Sequence, residues 1–211
     1  MKEVFNFLTK IGDLKGRDRR GWLLHNVEKP ETTAEHTFHL ALLVWILGRR
    51  KDKVDLDKMI KMALVHDLCE VYAKDLTPYD PLLSEDSEKN RKILEKWPEF
   101  TPEMKRKKEE DKRQMESEGL KKLTADLPQN LKEEIEELWL EYEGMVTPES
   151  RFVKQADKMV NFLQGMDYWR KEGKIRHDLW LRWIKEIIDE PILLDFLKEV
   201  EDEWIIKEIK E

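Results

Sequence analysis

Apolar residues recur at helical spacing along nearly the whole chain of 211 residues, and no segment shows the alternation typical of a β-strand. Glycine is sparse, with eight residues, and 40% of the residues are charged. This profile is typical of a helical protein whose outer faces are solvated. The apolar 40% of the residues, eight tryptophans among them, can form a sizeable core. We therefore predict an all-α fold organised as a single domain over residues 1–211.

Two apolar helices are predicted to be central in this fold. The first begins with a capping-box pattern at Thr32 and ends at Gly48. The second is expected over about residues 55–73. Two amphipathic helices close the chain, at about residues 178–189 and 191–209. No repeat or obvious linker divides the chain.

Charge and cysteine content exclude some classes of protein. The net charge of −7 argues against non-specific nucleic-acid binding. The single cysteine, Cys69, excludes an internal disulfide and fits a reducing compartment. No apolar run reaches the roughly 18 residues of a membrane span. We therefore expect a cytoplasmic protein that binds neither nucleic acid nor membranes.

The most unusual local feature is a His-Asp pair inside a stretch that otherwise has the pattern of a buried helix. His66 and Asp67 lie within the apolar segment 62–72. A buried carboxylate costs several kcal/mol unless a partner or a metal compensates its charge. A divalent cation is the simplest compensation, because neutral imidazole and carboxylate are both good metal ligands.

Two further polar residues are predicted on buried helix faces. His36 lies in the first turn of the first central helix and shares a face with Leu40. Asp157 shares an apolar stripe with Val153 and Val160. The candidate metal ligands are therefore His36, His66, Asp67 and Asp157. These two imidazoles and two carboxylates would balance the charge of a 2+ ion and leave positions for water and substrate.

The predictions for His36 and Asp157 each have an alternative. His36 could be a hydrogen-bonded core histidine, or His39, one turn later, could be the ligand in its place. Asp157 could form an ion pair with Lys154 or Lys158. The joint placement of the candidates on buried faces favours the metal site.

These residues resemble the HD-domain superfamily of metal-dependent phosphohydrolases, whose pattern is H…HD…D. The resemblance extends to the 5′-deoxynucleotidase group that includes HD-domain-containing protein 2, and covers roughly residues 5–170. Its motifs are residues 20–22 (RGW), 30–36 (PETTAEH), 63–70 (ALVHDLCE) followed by Asp75, and 138–158. The pattern HDxxExxxxD, with a tryptophan fourteen residues before His36, is more specific than the four-residue skeleton.

The resemblance implies roles for the motif residues. The metal ligands would be His36, His66, Asp67 and Asp157. Glu70 would transfer a proton near the phosphate, Asp75 would lie near the sugar, and Trp22 would lie at the substrate pocket. The alternatives are a supporting or surface role for Glu70, a cap or turn role for Asp75, and a core anchor for Trp22.

The chain departs from the family pattern at the position expected to bind the phosphate. Bacterial members place an arginine directly before the tryptophan, and this chain has Gly21 there. Arg19 or Arg20 could supply the positive charge from a neighbouring position. Arg19, Lys154 and Lys158 are the candidates to neutralise the phosphate.

The leading functional hypothesis is an enzyme, a metal-dependent 5′-deoxynucleotidase that converts deoxynucleoside 5′-monophosphates to deoxynucleoside and phosphate. One divalent ion is expected (Co²⁺, Mn²⁺, Mg²⁺, Zn²⁺ or Fe²⁺), because no histidine lies between residues 66 and 177 to build a second site. The resemblance also implies a homodimer. The alternatives are another HD-type nucleotide phosphohydrolase or phosphodiesterase, a non-catalytic metal-stabilised interaction module, and a structural helical protein without metal.

Overall fold

Helices make up most of the structure, a computed structural model that describes residues 1–77, 79–96 and 100–206. The helices are α1 (Lys2–Ile11), α2 (Arg20–Leu24), α3 (Thr33–Gly48), α4 (Leu56–Val65), α5 (Ser87–Leu94), α6 (Pro102–Thr124), α7 (Gln129–Gly144), α8 (Pro148–Glu172), α9 (His177–Ile187) and α10 (Pro191–Val200). Extended pairing in these ranges is confined to one isolated bridge, between Asp18 and Thr32. The predicted all-α fold is confirmed. Across the same ranges, no helix combines the length and the apolar character needed to cross a membrane.

The second central helix is shorter than the sequence pattern predicts. It ends at Val65, and Asp67 has the non-helical dihedral angles φ −110° and ψ 13°. A 3₁₀ turn follows over Leu68–Val71, and all four of its residues are buried. A short 3₁₀ turn keeps nearly the same residues facing inward as an α-helix, so the apolar period of the sequence continued through the break.

The C-terminal helices also differ from the predicted ranges. α10 ends at Val200, and a π-helical turn follows over Glu201–Ile206. The remainder of the predicted 191–209 helix lies outside the described residues. The expectation of one domain over residues 1–211 stays a prediction.

The chain divides into two compact units, and the first comprises Met1–Glu35 and Val65–Trp139. In this unit α6 packs against the 68–71 turn. Gly119 of α6 permits the close approach, because a Cβ atom there would lie 2.8 Å from the carbonyl oxygen of Cys69. A long charged helix thereby holds the turn that follows the His-Asp pair.

The second unit comprises His36–Leu64 and Leu140–Glu211, and α8 is its main buried helix. Thr147 caps the start of α8 through a reciprocal capping box with Ser150, and Gly173 ends it in the left-handed conformation at φ 66°. α8 packs against α9 and α10 in this unit. Its inward face contains Phe152, Val153, Ala156, Met159, Val160, Phe162, Leu163 and Met166. Asp157 is buried within this same helix.

Candidate functional site

The His-Asp pair of the first unit is compensated by an arginine. His66 is 2% exposed, and its Nε2 lies 3.0 Å from Oδ2 of Asp67. Nη1 of Arg19 donates a hydrogen bond of 2.6 Å to the same oxygen. The Asp67 side chain is 17% exposed, so the expected full burial of this carboxylate is not observed. Its charge is paired with the guanidinium that the sequence predicted as a phosphate anchor.

Glu70 lies in the next turn and is almost fully buried. Its side chain is 4% exposed, and Oε2 accepts a hydrogen bond of 2.8 Å from the hydroxyl of Thr33. The pKa of Glu70 is raised to about 8. Burial is the largest cause and the charge of Asp67 is the second, while Arg19 and the hydrogen bond from Thr33 lower the pKa. The Glu70 carboxyl can therefore hold a proton near neutral pH.

His36 and Asp157 meet in the second unit. His36 is 0% exposed on α3 and Asp157 is 4% exposed on α8. Nε2 of His36 lies 2.9 Å from Oδ1 of Asp157. Two residues separated by 121 positions are thus brought into contact, and this contact matches the alternative of a hydrogen-bonded core histidine. The roles of His36 and Asp157 as metal ligands stay predictions.

Three further side chains donate hydrogen bonds to the Asp157 carboxylate. Nδ2 of Asn161 donates to Oδ1 at 3.0 Å, and the hydroxyl of Tyr142 and Nζ of Lys158 donate to Oδ2 at 3.2 Å and 2.7 Å. Neither Tyr142 nor Asn161 was predicted as a site residue from the sequence. Asn161 could have been found, because it follows Asp157 by four residues on one helix face. The pairing with Tyr142 depends on the packing of α7 on α8.

Lys154 has contacts that differ from those expected of a phosphate-binding residue. Its Nζ donates a hydrogen bond of 2.7 Å to Glu143 and lies 4.0 Å from the ring centroid of Tyr142. Burial lowers the pKa of Lys154 from its usual value, and Glu143 opposes that shift. The substrate-binding roles of Lys154 and Lys158 stay predictions.

Asp75 holds the start of α2 by a backbone contact. Its Oδ2 accepts a hydrogen bond of 2.8 Å from the backbone N–H of Arg20, which satisfies one donor at the helix N-terminus. The guanidinium of Arg20 in turn pairs with Asp80, which also accepts from the N–H and the hydroxyl of Thr77. Asp80 was not predicted from the sequence. The predicted role of Asp75 near the sugar stays a prediction.

Trp22 is an anchor of the loop that precedes α3. It is 2% exposed, and its Nε1 donates a hydrogen bond of 3.0 Å to the buried carboxylate of Glu31. These contacts match the alternative of a core anchor. The predicted contact of Trp22 with substrate stays a prediction.

Three of the predicted ligands, His36, His66 and Asp67, are among the described residues whose side chains could hold a metal ion. The donor set fits a divalent cation, because neutral imidazole nitrogen and carboxylate oxygen suit several first-row metals. The same donor set does not select one of these metals.

Comparison with known proteins places the chain among HD-domain proteins. The HD domain family matches residues 11–192. The 5′-deoxynucleotidase HDDC2 of Mus musculus is 33% identical over 171 residues, which cover 81% of this chain and 72% of the mouse protein. The 5′-deoxynucleotidase hdd1 of Schizosaccharomyces pombe is 32% identical over 209 residues, covering 95% of this chain and 92% of the yeast protein.

The chain is also similar to a solved structure. The PH0347 protein of Pyrococcus horikoshii superposes with a TM-score of 0.67 at 26% identity, covering 93% of this chain and 97% of the archaeal one. HD domains bind a divalent metal ion and act as metal-dependent phosphohydrolases. The extent of these matches shows that the chain belongs to the HD domain family.

Proposed function

We propose that this protein is a metal-dependent phosphohydrolase that converts deoxynucleoside 5′-monophosphates to deoxynucleosides and inorganic phosphate. The relatives named 5′-deoxynucleotidase, from mouse and fission yeast, support the substrate class. The observation that carries the proposal is the contact of two buried histidines with carboxylates, His66 with Asp67 and His36 with Asp157. Ionisable groups are costly to bury, and clusters of them in a protein interior are typical of functional sites.

The proposed ligands of one divalent ion are His36, His66, Asp67 and Asp157. Two neutral imidazoles and two carboxylates balance a 2+ charge, so the charges of both carboxylates would be compensated. When bound, a divalent ion supplies Lewis-acid polarisation of a phosphoryl oxygen and lowers the pKa of a water molecule. Co²⁺, Mn²⁺, Mg²⁺, Zn²⁺ and Fe²⁺ all suit this donor set.

In the proposed reaction a water oxygen forms a bond with phosphorus, and the bond between phosphorus and the 5′ oxygen of the sugar breaks. The attacking water gives up a proton, and the departing sugar oxygen takes one up, so no net proton is gained or lost in the transfer. We propose that the Glu70 carboxylate carries out the proton transfer. Glu70 is buried four residues after His66, and the hydrogen bond from Thr33 holds it in place. Asp75 is proposed to accept a hydrogen bond from a sugar hydroxyl through Oδ1.

The phosphate charge requires basic groups close to the ligands. Arg19 contacts Asp67 and Lys158 contacts Asp157, at 2.6 Å and 2.7 Å. We propose that both side chains neutralise phosphate charge, because Asp67 and Asp157 would be metal ligands in the loaded protein and would leave the two cations available to the phosphate. A guanidinium suits this task because it can bind two phosphoryl oxygens at once.

The deciding experiment measures phosphate release from a panel of nucleotides crossed with a panel of metals. The expected result is metal-dependent release from deoxynucleoside 5′-monophosphates, with His66→Ala as the inactive blank. Triphosphates and cyclic nucleotides in the panel test the alternative of another HD-type phosphohydrolase. Absence of phosphate release from every nucleotide with every metal would contradict the proposal.

We also propose a homodimer that forms through the outward face of α3. Phe38, Trp45 and Ile46 are 66%, 47% and 60% exposed on this helix. Phe38 and Trp45 are seven residues apart, so they lie on one face. An exposed apolar face of this kind is typical of a subunit interface. Light scattering should give twice the mass of the chain, and Trp45→Glu should reduce it to the mass of one chain.

A reducing compartment, the cytosol, is proposed from the state of the single cysteine. Cys69 is buried, and burial raises the pKa of its thiol, so it remains a neutral packing side chain. Fractionation of cells that express the tagged protein tests this proposal. Recovery with an oxidising compartment would contradict it.

A further inference from the structure

We propose that Tyr142 is a positioning residue that fixes the carboxylate of Asp157 in the orientation needed to bind metal. The inference rests on the proposed metal site and adds a residue to it. The hydroxyl of Tyr142 donates to Oδ2 of Asp157 at 3.2 Å, while His36 contacts Oδ1 of the same carboxylate at 2.9 Å. The carboxylate is therefore held at both oxygens, and its plane is defined.

Tyr142 is well suited to this task because its side chain is rigid and shielded from water. Its side chain is 3% exposed, so water does not compete for the hydrogen bond. It also reaches Asp157 from α7, whereas Asn161 lies on α8 with Asp157 itself. A hydrogen bond from a separate helix restricts rotation of the Asp157 carboxylate. A hydrogen bond from Asn161, on the same helix as Asp157, restricts this rotation less.

The other donor to Oδ2 is less suited to positioning. Lys158 is adjacent to Asp157 in sequence, and its side chain is 37% exposed. A partly solvated lysine has a flexible stem with several rotamers, so it supplies charge more than orientation. The orientation of Oδ2 therefore depends chiefly on the buried phenol.

Lys154 and Glu143 support Tyr142 from its other side. Nζ of Lys154 lies 4.0 Å from the centre of the Tyr142 ring, and Glu143 accepts a hydrogen bond of 2.7 Å from this ammonium. The contact between cation and ring fixes the ring plane. A cation over the ring also draws electron density from the phenol, which strengthens its hydroxyl as a donor to Asp157.

The test compares Tyr142→Phe with Tyr168→Phe. Tyr168 is another buried tyrosine of the same unit, 5% exposed on α8, and serves as the matched control. Mn²⁺ is titrated into metal-stripped protein by calorimetry, and the Tm of the stripped protein is measured separately. Loss of a residue that orients a ligand typically weakens metal binding about 10- to 100-fold. We expect this loss for Tyr142→Phe, with the Mn²⁺ Kd of Tyr168→Phe within about twofold of wild type.

The outcomes separate this inference from the function on which it rests. A Kd of Tyr142→Phe equal to that of wild type overturns the positioning role and leaves the metal site intact. Failure of the wild-type protein to bind Mn²⁺ or any other metal of the panel overturns the proposed site itself. If Tyr142→Phe does not fold, Lys158→Met decides, because it removes the other donor to Oδ2 of Asp157 and keeps the phenol. A Kd that is not weakened supports the inference, and a Kd weakened tenfold or more overturns it.

Discussion

Thr33 donates a hydrogen bond from its hydroxyl to Oε2 of Glu70, with 2.8 Å between the two oxygens. Thr33 is the first residue of α3, three residues before His36, and Glu70 lies three residues after Asp67. Both side chains are buried. The hydrogen bond therefore fixes the proposed proton-transfer group relative to the first residue of α3.

Replacement of Thr33 by valine should slow catalysis more than it weakens substrate binding. Valine keeps the shape but removes the donor, so the buried Glu70 carboxyl loses a partner and its fixed orientation. We expect kcat to fall about tenfold, which corresponds to about 1.4 kcal/mol, with a smaller change in KM. Thr33→Ser retains a hydroxyl and should recover most of the rate. Equal rates for the valine variant and wild type would contradict a positioning role for Thr33.

Gly119 should tolerate no larger side chain, because a Cβ atom would meet the backbone of the 68–71 turn. Such a Cβ atom would lie 2.8 Å from the carbonyl oxygen of Cys69, so α6 or the turn must shift. We expect Gly119→Ala to lower the free energy of unfolding by about 1–3 kcal/mol, as measured by urea denaturation.

Gly21 is the matched control for this substitution. No atom lies within 4 Å of a Cβ atom at Gly21, which is in α2. Gly21→Ala should therefore raise the free energy of unfolding by about 0.5–1 kcal/mol, because alanine favours a helix over glycine. A stability loss of the same size in both variants would contradict the close-packing explanation.

Asp80 should make folding stability depend on pH in the acid range. Burial raises its pKa, but hydrogen bonds from Arg20 and Thr77 outweigh burial and leave the pKa below the usual value of 3.8. A lowered pKa in the folded state stabilises the protein above the unfolded value, and this contribution is lost as the pH falls through the folded pKa. Asp80→Asn should therefore be about 1 kcal/mol less stable at pH 7.

The difference between Asp80→Asn and wild type should shrink as the pH falls below about 4. Urea denaturation of both proteins from pH 7 to pH 3 measures it. A difference that stays constant over this range would show that the Asp80 charge does not act through folding.

Removal of divalent metal should destabilise the protein as well as inactivate it. A ligand that binds only the folded state stabilises it by about 2.7 kcal/mol at about a hundredfold excess over Kd. Chelation should therefore abolish phosphate release and lower the Tm by several degrees. His66→Ala serves as the control, because its Tm should respond much less to added metal. A wild-type Tm that is insensitive to metal would contradict a metal site built from buried ligands.

Local sequence pattern was sufficient for the all-α fold and for the burial of His36 and Asp157. Helical period places His36 and Asp157 on inward faces, because residues three and four apart share one side of a helix. The same pattern missed the break after Val65, since a 3₁₀ turn keeps nearly the same inward face. Gly119 carried no local signal, because its role depends on a turn about fifty residues earlier in the chain.

The sequence by itself determined that His36, His66 and Asp157 face the interior, since burial of a helix face follows from a period within a few turns. Only the tertiary structure decided what the candidate site residues touch: Arg19 on Asp67, and Tyr142 on Asp157. Such contacts join residues from separate helices, and they depend on the angle and depth at which those helices pack. Periodicity within one helix does not encode that geometry, so the partners of the candidate site residues emerge only when the chain is folded.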